Sequence, residues 1–499
     1  MNAEEAETSN YTFAAEHPSL KPQRKNGRFI LLILLAQAVS HLNGDITAAS
    51  NWPQFRGALG AGVAASASPP EKFGPNEGVM WKVDVPWSPS SPIVWRDLIF
   101  LTTVRDGLLE TRCHDRKDGR LRWTRAVTPS QIEEFHRLDG SPAASTPTTD
   151  GHHVVSYFGS FGLICHNTEG AELWRHPLPV AKTVGQYGSG TSPIIVGKVV
   201  VINRDQYRYS SLLAVDLKTG SKLWETHRPE SAGSFGTPAY WRNRDADKVV
   251  LAASGRLKGY ALQTGAERWV VEGVTGTVCT TPVVAQGRLY FAAWSNHVAD
   301  TSLLPWEEFM KQYDHNSDGA VAFEEIEPER RDYMRGVDAN RDGKLTKADW
   351  DLRKAASVRY ENVIIAVNSG GTGDITQTHV AWKSRRGVPY VPSPLFYDGR
   401  IYLVKDGGLL TSVDADTGEA LYTQERMGAD GNYYASPVAA EGRIYLASLA
   451  GKVTVVKAGG ARPDVLHQVD FGTRIVATPA ASGGNLFVRT ESHLWAFTR

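Results

Sequence analysis

"AVDLKTGSKLW", residues 214–224, reads as an apolar strand, a turn that ends on glycine, and a second strand whose tryptophan stands four residues past that glycine. Glycine takes positive φ without steric cost, so Gly220 marks a hairpin corner and Trp224 lands at a fixed place on the next strand. "CHDRKDGRLRW" (113–123) and "SVDADTGEALY" (412–422) repeat the arrangement. The pairs are Gly119/Trp123, Gly170/Trp174, Gly220/Trp224, Gly265/Trp269 and Gly418/Tyr422. Each ring is expected to pack between its own unit and the next, since a tryptophan buries roughly 150–250 Å².

A second mark alternates with the first. It is Ser or Thr before Pro, at Ser91, Thr146, Ser192, Thr237, Thr281, Ser393, Ser436 and Thr478. Proline suits the first residue of a strand, where no ladder donor is needed. The marks are 55, 46, 45, 44, 112, 43 and 42 residues apart. A period near 43 residues, with about four strands per unit, is that of a propeller blade. The expected fold is therefore all-β, an eight-bladed β-propeller of four-stranded antiparallel blades. "GVMWKVDV" (78–85) precedes the first mark, and the last blade stops at the C-terminal "HLWAFTR". Trp81 is thus expected on the outer strand of the last blade, which closes the ring and removes its open edges.

The long interval falls in the fifth blade and holds two Asp-rich loops. A calcium loop needs oxygen donors at positions 1, 3, 5, 7, 9 and 12, with glycine at 6. The first offers Asp314, Asn316, Asp318, Gly319 at the turn, the Ala320 carbonyl and Glu325; its ninth position is Ala322, so water is expected there. The second offers Asp338, Asn340, Asp342, Gly343 at the turn, the Lys344 carbonyl, Thr346 and Asp349. Asp349 is one methylene shorter than the usual Glu, so the second site is expected to be the weaker. Val321 and Leu345, at position 8 of each loop, should pair as a short β-bridge. Trp306, Phe309, Met310 and Tyr313 fall on one face of an entering helix, Pro328 starts a short shared helix, and Trp350 anchors the exit helix. The module resembles a paired EF-hand with two Ca2+ sites. With both ends held by strands, it is expected to act as a structural or ligand-presenting element more than as a sensor.

The 499-residue chain carries 54 Lys plus Arg and 54 Asp plus Glu, so no net field draws nucleic acid or an anionic membrane. Three cysteines, Cys113, Cys165 and Cys279, are too few and too widely spaced for a disulfide framework. Lys21, Arg24, Lys25 and Arg28 precede the apolar run 29–40, and Ala48, Ala49 and Ser50 offer a cleavage site, the pattern of a secretory signal. No cysteine precedes Cys113, so no lipid anchor is expected. The expected organisation is 1–50 signal and leader, 51–299 first part of the propeller, 300–356 insertion, and 357–499 second part. The protein is expected to be an exported monomer, periplasmic or extracellular, or tethered if the signal is not cut.

The hairpin repeats resemble the PQQ-like (pyrroloquinoline-quinone type) propeller repeat. "NWPQFRGALGAGV" (51–63) and "VPYVPSPLFYDGRIYLVKDGG" (388–408) are similar to exported PQQ-like repeat proteins of planctomycete-type bacteria. The resemblance implies the fold and leaves the activity open, because function sits in sites rather than folds. Quinone-dependent dehydrogenases of this fold use adjacent cysteines and a channel calcium; no two cysteines are adjacent here, and there is no C-x-x-C-H. The quinone is therefore not an expected cofactor, and a quinone-dependent oxidoreductase is the alternative reading. The main expectation is a non-catalytic scaffold or recognition surface for a protein or other cell-envelope ligand. Segments before the Ser/Thr-Pro marks should open on one end of the ring, bringing Tyr187, Phe235, Tyr390, Tyr433, Tyr434 and Arg474 to its mouth. Aromatics with arginine are common on recognition surfaces.

Overall fold

The Gly-cornered hairpins form the outer strand pairs of four-stranded antiparallel sheets in the computed structural model. It describes residues 51–499, apart from 139, 207–208, 230, 232, 243–246, 297–302, 336, 341 and 359. The expected signal segment lies outside the described residues. Blade 1 runs outward through Ile93–Trp95, Leu98–Arg105, Leu108–Asp115 and Leu121–Val127. Seven further sheets follow the same order, giving eight blades. The eighth is completed by the first described strand, Val79–Asp84, which pairs antiparallel with His493–Phe497. Trp81 thus lies on the outer strand of the last blade, as expected.

The corner glycines have the positive φ that the turn requires, as Gly119 (+74°) and Gly220 (+70°) illustrate. At five blade boundaries the aromatic ring of one blade packs on the corner glycine of the next. A Cβ on Gly119 would stand 2.6 Å from the Trp81 ring, and one on Gly220 2.5 Å from the Trp174 ring. The same indoles donate across the blade boundary: Trp81 Nε1 to Arg116 O (2.9 Å), Trp123 to Thr168 O (2.9 Å), Trp174 to Leu217 O (2.8 Å) and Trp224 to Leu262 O (2.9 Å). Trp382 plays this part in blade 5, donating to Ala415 O at 3.0 Å. Trp269 of blade 4 departs from the pattern. Blade 5 has no short corner there, and its Gly373–Asp374 segment adds a fifth, parallel strand beside Glu267–Glu272, pairing Gly373 with Trp269.

The 112-residue interval is explained by an excursion between two strands of blade 5, Arg288–Ala293 and Val363–Val367. It holds helices α1 (Trp306–Tyr313), α2 (Pro328–Met334) and α3 (Lys347–Val358). Val321–Ala322 pairs antiparallel with Lys344–Leu345, and Val321 faces Leu345. The excursion has its own core around Phe309, Val321, Leu345 and Trp350, with Phe309 stacked on Trp350 at 4.2 Å. Its neck is clasped: Ser295 N–H donates to Asn362 Oδ1, and Asn362 Nδ2 donates back to Ser295 O, both at 2.9 Å.

Residues 51–68 do something that the repeat pattern did not reveal. They leave the ring of blades and cross one end of the central channel. Trp52 bridges Val94 of blade 1, and the Pro53 carbonyl accepts from Thr149 N of blade 2. The 3-10 turn Ala58–Gly60 lies against Ala239–Trp241 of blade 4. Val63 bridges Ala439 of blade 7, and Ser68 N donates to Gly483 O of blade 8. Innermost strands turn backbone groups toward the axis, and the crossing segment takes up several of them. Its glycines let it pass: at Gly62 (φ +75°) a Cβ would meet Arg56, Leu395 and the Pro437 carbonyl within 3.1 Å.

Candidate functional site

The Ser/Thr-Pro marks converge around the axis. A residue before proline is held extended, and at these eight positions the N–H points to the next blade. Ser91 N–H donates to Thr146 Oγ1 (2.9 Å), Thr146 to Ser192 Oγ (3.0 Å), Ser192 to Thr237 Oγ1 (3.1 Å) and Thr237 to Thr281 Oγ1 (3.2 Å). The chain of bonds continues at 3.0 Å from Thr281 to Ser393, Ser393 to Ser436, Ser436 to Thr478, and Thr478 back to Ser91. Eight hydroxyls therefore form a closed ring, one per blade. Hydroxyl residues are needed here because an alanine would leave a buried N–H without its acceptor.

Above the ring lies a cavity of about 210 Å³, and all eight ring residues line it. Phe55 of the crossing segment lines it too, so the channel is a blind funnel with a mouth at the other end. Four of the six expected mouth residues are in its wall: Tyr187, Phe235, Tyr390 and Tyr434. Tyr187 meets Phe235 edge-on at 6.0 Å and His136 at 5.6 Å, and Tyr390 meets Trp294 edge-on at 5.5 Å. The other two do not line it. Tyr433 is fully buried and its hydroxyl donates to Ala429 O at 2.9 Å, because its side chain turns into the core between blades 6 and 7. Arg474 donates to Leu138 O at 2.7 Å and covers the Trp87 ring at 5.7 Å. Adjacent residues such as Tyr433 and Tyr434 point to opposite sides of an extended chain, so only one of them can face the cavity.

Three features of the wall escaped the sequence reading. Phe55 arrives from outside the repeat. Cys279 lines the cavity, and burial pushes its thiol up to about 12, so it is a protonated thiol at neutral pH. Glu133 lies behind the wall on the long connection between blades 1 and 2. Its Oε2 accepts from the hydroxyl of the cavity residue Ser189 at 2.7 Å, its N–H donates to Ser160 Oγ at 2.9 Å, and its Oε1 has no partner. Burial raises this carboxyl to about 7, against the lowering effect of the Ser189 bonds and of Arg204. A carboxyl in an ordinary polar loop gives no sequence signal for such burial.

The Asp-rich loops of the excursion have matching geometry. In the first, Glu325 accepts from the N–H groups of His315 (3.0 Å) and Ala322 (2.8 Å). In the second, Asp349 accepts from Ala339 (3.1 Å) and Thr346 (3.0 Å), the equivalent positions. Asp314 accepts from Gly319 N and Asp338 from Gly343 N, at 3.2 and 3.0 Å. The middle positions match as well: Asn316 Nδ2 donates to Asp318, and Asn340 Nδ2 to Asp342. Gly319 (φ +84°) and Gly343 (φ +86°) turn each loop. Among the described residues no three His, Cys, Asp or Glu side chains close on one point. Ala320, Lys344 and Thr346 occupy the remaining expected donor positions, and the Lys344 ammonium reaches across to Asp318 at 3.7 Å.

The family model described as outer membrane protein assembly factor BamB matches residues 105–315 and 330–499. No curated relative matches the sequence. Among solved structures, BamB from Moraxella catarrhalis is 12% identical, with 84% of this chain and 96% of that chain covered and a TM-score of 0.51. Quinohemoprotein alcohol dehydrogenase from Comamonas testosteroni is 11% identical, with 90% and 80% covered and a TM-score of 0.53. At these identities the likeness is one of fold.

Proposed function

Because the chain belongs to the PQQ-like repeat family described as outer membrane protein assembly factor BamB, we propose that it is a calcium-binding, exported and non-catalytic propeller that recognises a cell-envelope partner at its mouth. The observation that carries the recognition reading is the collar of Tyr187, Phe235, Tyr390 and Tyr434 around a blind cavity. Exposed aromatics supply much contact area at low entropic cost, and Tyr187 is 47% exposed. Export is supported by the signal-like N-terminal pattern; among the described residues no helix is long and apolar enough to cross a membrane.

Calcium is supported by the donor chemistry of the loops. Each offers only oxygens, at the spacing and around the glycine turn that a hard cation with six to eight ligands requires. Asp314, Asn316, Asp318, Ala320 O and Glu325 would hold one ion; Asp338, Asn340, Asp342, Lys344 O, Thr346 and Asp349 would hold a weaker second. The excursion is pinned at a clasped neck, so the ion stabilises it by mass action rather than moving it.

Partner recognition is tested by capture from the native envelope with the wild type and a Tyr187→Ala/Tyr390→Ala double variant. A partner that both retain equally would sink the mouth assignment. Reconstitution with pyrroloquinoline quinone and calcium, followed by dye reduction, tests the oxidoreductase alternative; turnover there would replace the present reading.

A further inference from the structure

Two arginines behind the hydroxyl ring have no counter-charge. Arg56, on the crossing segment, is fully buried; its Nη2 donates to Pro394 O at 2.7 Å, while Nε and Nη1 have no partner. Arg489 is buried as deeply. Its Nη1 donates to Ser90 O (2.8 Å) and Thr102 O (3.1 Å), its Nη2 to Pro86 O (2.9 Å), and its Nε to nothing. Both groups adjoin the ring, since Pro394 follows Ser393 and Ser90 precedes Ser91. Among the described residues neither forms an ion pair. Arg112 adds to the positive charge beside Arg489, and its own partner is Glu110 at 3.6 Å.

Burial lowers both guanidinium groups to about 9, which still leaves them charged at neutral pH. Carbonyl dipoles satisfy some of their N–H groups but do not cancel the charge, and an uncompensated buried ion costs several kcal/mol. The ring in front of them is polarised in the same sense. Each ring oxygen already accepts an amide N–H, and its own proton has no acceptor among the described residues. The cavity floor therefore presents eight O–H donors backed by two fixed positive charges, at a depth where salt screens poorly.

We propose that the channel binds an oxyanion, a carboxylate or phosphate group, on this ring of eight hydroxyls. The anion supplies the missing counter-charge and accepts several of the idle protons. A short apolar body on the same molecule would lie against Phe235, Val391 and Val476, which also line the cavity. The proposal rests on the mouth reading only in needing the cavity open to solvent. The two fail separately, because partner capture is read with the collar variants and anion binding with the ring variants.

The test is calorimetry and thermal unfolding of the full chain at constant ionic strength, with inorganic phosphate, acetate and the neutral isostere acetamide. Phosphate and acetate are expected to bind at one site and raise Tm, and acetamide to do neither. Thr237→Val keeps the shape but removes one donor together with the acceptor of the Ser192 N–H; Arg56→Met removes one charge. Each is expected to weaken acetate binding at least tenfold, whereas the exposed-site control Arg462→Met leaves it unchanged. Equal responses to acetate and acetamide would overturn the proposal, as would wild-type affinity in a folded Arg56→Met or Thr237→Val protein. If neither variant folds, the acetate–acetamide comparison on the wild type decides it alone.

Discussion

Thr478 donates its backbone N–H to the Ser91 hydroxyl at 3.0 Å, across 387 residues of sequence, and that bond closes the hydroxyl ring. The ring thus joins the last blade to the first on the axis, while Trp81 joins them at the rim.

Ser91→Ala removes the acceptor at this junction and leaves the Thr478 N–H buried without a partner. The expected loss is about 1–3 kcal/mol, read as a lower midpoint in urea unfolding. A loss under about 0.5 kcal/mol would show that the ring contributes little to closure.

Gly119→Ala brings two costs together, a positive φ and a Cβ 2.6 Å from the Trp81 ring. Gly107→Ala brings only the first, since at φ +77° nothing stands within 4 Å of its Cβ. The Gly107 variant is expected to lose about 1–2 kcal/mol. The Gly119 variant is expected to lose about 1–3 kcal/mol more, by the cost of overpacking. Equal losses would mean that the indole of blade 8 is not tightly docked on blade 1.

Glu133 should make stability fall as pH rises. Its folded-state value of about 7 lies above the ordinary 4.5, because burial disfavours the carboxylate. The folded state therefore holds the proton more tightly than the unfolded chain does. This contribution is fully present below pH 4.5 and is lost as pH rises through about 7. Against Glu133→Gln, which stays neutral, the wild type should lose stability over that window, by up to about 3 kcal/mol at 1.36 kcal/mol per unit. Parallel Tm–pH curves for the two proteins would contradict the assignment.

Calcium should raise Tm, adding about 2.7 kcal/mol of stability at a hundredfold excess over Kd and growing with the logarithm of that excess. A chelator should reverse the gain. Asp314→Ala should abolish the tighter calorimetric site, and Asp349→Glu should tighten the weaker one by restoring the longer carboxylate at position 12. An Asp314→Ala protein with unaltered calcium binding would remove the first loop from consideration.

Much of the architecture is local, and local chemistry is readable in sequence. A glycine corner needs positive φ wherever it occurs, and proline starts a strand wherever an amide is not required. Hence the blade number, the position of Trp81 and the Val321–Leu345 bridge all followed from spacing. Trp382 was missed because blade 5 replaces its short corner with a longer connection, so no glycine stands four residues before it. Of Tyr433 and Tyr434, only the direction of the chain at the mouth decides which faces the cavity.

The remainder depended on what lies opposite. The 51–68 segment carries no repeat, and only the assembled ring shows that its glycines thread a closed channel end. The same holds for charge. Arg56 and Glu133 sit in loops and Arg489 at the end of the strand Asn485–Arg489, none marked as special in sequence, and their unusual states arise because distant blades exclude water from around them. Backbone preference is a property of a few consecutive residues, whereas burial belongs to all the elements that meet at a point; the first could be read along the chain, and the second existed only once the circle had closed.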